Sequence, residues 1–150
     1  MSRHCGSRSS WGLAFSLALA GAGFARAQDL GPTIDLRAGE AVAFAVTISG
    51  ETAVTGPPRR SKAGTPAPGA GEVTVSVAPP GLSPYAMMTV AETTARPIDF
   101  YATGFIDRIK IDDVRVCGRL DRPFVLRIAA GARRIALNHL VARKEGEECR

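Results

Sequence analysis

The sequence predicts an all-β protein: an antiparallel β-sandwich of about eight strands, Ig-like or jelly-roll-like, with a barrel as the alternative closure. Three observations predict it. Apolar and polar residues alternate with period two over most of the chain after residue 32, and many of the apolar ones are β-branched. Gly, Pro and Asp break these runs at short intervals. No long segment in that stretch carries a clean helical period.

A segment of another character precedes the strands. Residues 1–27 have the layout of a cleavable secretory signal, a signal-peptide helix followed by a cleavage site. Arg3, His4 and Arg8 form a basic start with no acid before Asp29, and Trp11–Phe24 is apolar. Ala25-Arg26-Ala27 supplies small residues at the cleavage positions, so the cut is expected between Ala27 and Gln28. The apolar run has 14 residues, rich in Gly and Ala, and a spanning helix needs about 20. A retained anchor is therefore disfavoured, and no stable membrane span is expected after processing. Cys5 stands too early for a lipoprotein, and no Arg pair precedes the apolar run. The expected destination is the periplasm or the medium.

Removal of the signal changes what the composition implies. The whole chain has 19 basic and 14 acidic residues. Arg3, Arg8 and Arg26 leave with the signal and no acid does, so residues 28–150 carry 16 against 14. That near balance, with six aromatics and no stacking platform, argues against a nucleic-acid partner. Trp11 and His4 leave too. Cys117 and Cys149 remain, an even count suited to one intramolecular disulfide in an oxidising compartment. Such a bond closes a loop of about 33 residues and is worth roughly 3–4 kcal/mol in chain entropy. It would pin the polar tail from Arg143 onward to the body.

The strands follow in order as one domain spanning residues 28–150. Thr33–Arg37 and Ala41–Ile48 alternate on either side of an Ala38-Gly39-Glu40 turn. The second puts Val42, Phe44, Val46 and Ile48 on one face. Residues 55–71 have eight Gly or Pro among 17 and no large apolar side chain, so they are expected as a flexible loop. Its Arg59, Arg60 and Lys62 read first as a solvated basic loop. Glu72–Val77 alternates with Val73, Val75 and Val77 inward. Tyr85–Ala91, Pro97–Thr103 and Ile109–Val116 follow, with a bulge or turn expected at Asp112-Asp113. Phe124–Ile128, a turn at residues 129–132, and Arg134–Asn138 complete the eight. Residues 139–143 either extend the last strand or turn once as a helix.

No residue set commits to chemistry. His139 is the one imidazole after the signal, and a hydrolytic site needs a nucleophile and an orienting third group beside it. No G-x-S-x-G or S-x-x-K frame follows the signal. Zinc wants three or four His, Cys or carboxylate ligands. Asp107, Asp112, Asp113 and Asp121 lack the spacing of a calcium loop. Met87-Met88 would diverge on a strand, against a shared Cu(I) site. The expectation is a non-enzymatic exported β-domain, without cofactor or metal, that binds another secreted or envelope protein or an envelope component. Its surface would be a sheet edge or the face bearing Arg115, Arg119 and Arg127. The alternatives are a ligand- or metal-binding module using Met87, Met88, His139, Asp112 and Asp113, and a small hydrolase pairing His139 with Asp99, Asp112 or Asp113.

Overall fold

The computed structural model describes residues 33–62, 64, 66–81 and 83–149. The expected signal peptide and its cleavage site at Ala27 and Gln28 lie outside the described residues. Ten antiparallel strands form the fold, and no helix occurs among the described residues. No helix there is long and apolar enough to cross a membrane.

The strands are β1 (Ile34–Arg37), β2 (Ala41–Ser49), β3 (Thr52–Thr55), β4 (Arg59–Ser61), β5 (Glu72–Val77), β6 (Tyr85–Glu92), β7 (Ile98–Ile106), β8 (Ile109–Val116), β9 (Phe124–Ala130) and β10 (Arg134–Ala142). All eight expected strands are present. Residues 139–142 extend β10 rather than forming a helical turn. Two short strands, β3 and β4, are additional.

Pairing runs β8-β7-β10-β3-β2-β5-β6-β9, with β1 added to β10 and β4 to β2. The path is one nearly closed, barrel-like sheet, where the alternation suggested a sandwich of separate sheets. The reason is the length of β2 and β10. The first half of β2 pairs with β5 and β4, and its second half turns to β3. β10 pairs with β1 through residues 134–137 and reaches β3 only at Val141. Strands that change partners carry the path round, as strand-switching does at barrel corners.

Local chemistry sets the tight links. Ser49 and Thr52 pair across a two-residue turn whose Gly50 has φ +61°, the left-handed geometry that matches hairpin twist. Asp107, φ +53°, does the same between Ile106 and Ile109. Gly104 lets β7 approach β9, because a Cβ there would stand 2.8 Å from Ile128 Cγ2.

The inward faces share one core. Leu36, Phe44, Met88, Ile98, Phe100, Ile128, Ile135 and Leu137 are fully buried in it with the valines of β2, β5 and β6. These are the alternating residues the sequence picked out, and their burial is the main stabilising contribution.

Among the described residues, side chains bridge two seams where no ladder forms, β1 to β4 and β8 to β9. Arg60 Nη1 on β4 donates to the Asp35 carbonyl on β1 at 2.6 Å. Asp112 Oδ2 on β8 accepts from the Ala129 N–H on β9 at 2.8 Å. The stretch 55–71, expected as a flexible loop, thus holds β4: Ala41, Val42 and Ala43 pair with Ser61, Arg60 and Arg59, and Arg59 reaches Glu72 at 2.6 Å.

Candidate functional site

The outward face of β10, β7 and β8 gathers most of the polar residues singled out above. Register places Tyr101 opposite Arg115 and Asn138, and Thr103 opposite Asp113 and Ala136. Thr103 Oγ1 donates to Asp113 Oδ1 at 2.8 Å and accepts from Asn138 Nδ2 at 3.1 Å. Lys110 Nζ binds Asp113 Oδ2 at 2.7 Å. The Lys110 hydrogen bond holds the Asp113 carboxyl below its usual range, with Thr103 and the nearby His139 adding smaller pulls.

His139 sits at an irregularity. The β10–β7 register shifts between Asn138 and Val141, and His139 has φ +53°. A bulge of this kind re-aims a side chain. The imidazole is exposed and packs edge-on against Tyr101, ring centroids 5.9 Å apart. Among the described residues no hydrogen bond joins it to a carboxylate or hydroxyl, so the pairing with Asp99, Asp112 or Asp113 that a hydrolase needs is not assembled. Each carboxylate is engaged elsewhere: Asp112 with Ala129 and the Asp113 N–H, Asp113 with Thr103 and Lys110, and Asp99 with Arg143.

The set Met87, Met88, His139, Asp112 and Asp113 is also not brought together. Met88 is buried in the core on β6, Met87 points the other way, and His139 is on β10. Among the described residues no three His, Cys, Asp or Glu side chains form a group able to hold a metal ion. The expected bulge near Asp112-Asp113 exists but falls at Ile111, between pairs Gly104–Asp112 and Phe105–Lys110.

At one end of this face lies a buried acidic cluster that sequence reasoning missed. Asp99 is 3% exposed and Glu92 5%. Arg143, just past β10, grips Asp99 with Nη2 at 2.5 Å and Nε at 3.1 Å, and the Gly118 N–H adds a third bond at 3.1 Å. Arg143 Nη2 also donates to the Gly118 carbonyl, and Arg115 stands 3.9 Å from Asp99. The Asp99 hydrogen bond drives the Arg143 pKa upward. Glu92 is less well served. Its Oε2 accepts from the Ile98 N–H at 3.0 Å and from Thr94 Oγ1 at 3.3 Å, while Oε1 is buried without a hydrogen bond. Burial raises its pKa, more than the Ile98, Thr94 and Arg119 groups lower it, and the charge on Asp99 adds to the rise. Gly118 roofs the cluster: a Cβ there would collide with Glu92 Oε1 and with the Ile98 backbone.

Cys117 and Cys149 are bonded, as the cysteine count implied, with Cα atoms 5.8 Å apart. The bond and the Asp99–Arg143 pair together strap residues 143–149 across this end. Between the strap and residues 95–97 lies an open cleft of about 400 Å³ lined by Arg96, Arg143, Lys144, Glu145 and Glu147. Its charges are mixed, and Lys144 is already paired with Glu51 at 2.9 Å.

The three arginines expected to share a binding face have separate partners. Arg115 leans on Asp99, Arg119 covers the Phe124 ring at 5.4 Å, and Arg127 covers Tyr85 at 6.0 Å. Arg127 lies on β9 and Arg119 in the link before it, and Val125 on the same strand is 57% exposed. No protein-family model, curated protein or solved structure matches this chain.

Proposed function

We propose that this chain is an exported, non-enzymatic β-domain that binds another protein in the periplasm or outside the cell. The observation that carries this reading is the β8–β9 seam. Both strands lack a ladder partner on one side, and cationic and apolar side chains stand exposed beside them. An unpaired strand edge is a template for another chain unless something covers it. The export signal read in residues 1–27 and the Cys117–Cys149 bond both favour an oxidising destination. The nearly closed sheet reads as a flattened sandwich, with β1, β10, β7 and β8 in one layer and β4, β2, β5, β6 and β9 in the other.

The hydrolase and metal-module alternatives draw no comparable support, since His139, the aspartates and the methionines are held apart. The test is capture. Residues 28–150, immobilised and exposed to periplasmic or culture-fluid proteins of the native host, should retain a partner reproducibly and release it in high salt. Failure to retain any protein above a scrambled-surface control would end the reading.

A further inference from the structure

β9 has β6 on one side and no ladder on the other. Among the described residues, the one bond joining its open side to β8 is from the Ala129 N–H to Asp112 Oδ2. The group that satisfies an edge amide is therefore a carboxylate. The charge around the seam points the same way. Residues 107–134 hold eight Lys or Arg against four Asp, whereas the rest of residues 33–149 hold seven against nine. Arg108, Arg119, Arg127 and Arg133 make no ion pair among the described residues. Arg119 and Arg127 are seated on aromatic faces, which orients a guanidinium while leaving its hydrogen-bonding edge free. Val125 and Tyr85, 57% and 46% exposed, supply apolar surface beside them.

We infer that β9 is a recognition edge that takes up an extended, acidic segment of the partner protein by strand addition. This rests on the protein-binding reading above and names the chemistry of the partner. Main-chain bonds to the open side of β9 supply affinity that does not depend on sequence. Alternate side chains of the incoming strand fall on the face that carries Val125 and Arg127, so an alternating acidic and apolar pattern fits. Asp112 occupies the Ala129 end of the edge and imitates the acidic partner there, which leaves Phe124–Arg127 as the free stretch.

The experiment uses residues 28–150 with the disulfide intact and a short synthetic peptide alternating Asp and Val. The readout is amide hydrogen exchange by NMR. The acidic peptide should slow exchange at Val125 and Arg127 about tenfold or more, with binding that weakens as salt rises. A matched Lys–Val peptide should do nothing, and an Asp–Val peptide with alternate N-methylated amides should lose the protection. Arg119→Glu with Arg127→Glu should weaken binding about tenfold or more, whereas Arg37→Glu on β1 should leave it unchanged. These arginines are exposed, so circular dichroism should show both variants folded. Binding without protection of β9 amides, equal binding of the methylated peptide, or no binding would overturn the inference. If the double variant still captures the native partner, strand addition at β9 fails and the binding-module reading survives. If the wild-type chain captures nothing, that reading fails by itself.

Discussion

The strap end and the β8–β9 seam handle polar groups in opposite ways. At the strap, Asp99 is buried but takes three hydrogen bonds, two from Arg143 and one from the Gly118 amide. At the seam, backbone is left without a ladder, the arginines face water, and one carboxylate closes the gap. A buried charge survives only when its partners are complete, and removing one partner is expensive. An exposed edge costs little to leave open because water satisfies it, and that makes it available to another chain. The difference places a buried, fully partnered charge at the strap and an open strand edge at the seam.

Asp99 is the residue on which the strap most depends. Asp99→Ala leaves Arg143 half-buried without its counter-charge and frees the Gly118 amide. A loss of about 3–5 kcal/mol is expected in urea unfolding. A loss under about 1 kcal/mol would mean that the pair is as weak as an exposed one. Cys149→Ser tests the same strap covalently. It should cost roughly 3 kcal/mol through the unfolded chain, and proteolysis should then cut first after residue 142. Comparable cleavage at the seam would remove the contrast in rigidity.

Glu92, beside Asp99, is the less satisfied carboxyl of the same cluster. Its pKa is raised in the folded state, so its contribution to stability is full below the ordinary carboxyl value near 4.5 and is lost as pH rises through the folded value. At neutral pH the folded protein carries an ionised, half-satisfied carboxylate or a proton bound at a cost. Glu92→Gln keeps the shape and removes the charge. It should gain on the order of 1 kcal/mol at pH 7, with a flatter melting profile between acidic and neutral pH. An unchanged profile would show that Glu92 titrates normally.

How far these regions were legible in the sequence follows from the range of the forces that make them. The eight main strands were readable because alternation is local: Val73, Val75 and Val77 face the core by their own spacing. β3 has four residues, Thr52–Thr55, whose two apolar members, Ala53 and Val54, are adjacent and give no alternation to read. β4 is three polar exposed residues, Arg59–Ser61, and forms because β2 offers it an edge. Asp99, set between Ile98 and Phe100, reads as a solvent-face residue. It is buried because Arg143, 44 positions later, is strapped over it. The disulfide was readable by counting, yet the acid cluster it covers was not, since no local pattern announces a long-range lid. Likewise Arg115, Arg119 and Arg127 were visible, while their separation onto Asp99, Phe124 and Tyr85 depends on sheet closure.

The smallest expected effect is at the seam. Asp112→Ala removes the acceptor that holds Ala129, but that amide is not deeply buried and water can replace the carboxylate. The loss should be about 1 kcal/mol, well below that of Asp99→Ala. The informative measurement is local. Amide exchange at Ala129 should speed up by roughly tenfold, while Val73 and Val90, inside the β2–β5–β6 ladder, keep their protection. If the whole sheet loosens together, the seam is part of the cooperative unit and β9 is not an independently open edge. If only Ala129 and its neighbours respond, the barrel tolerates opening at this side, and a partner strand can enter without unfolding the core.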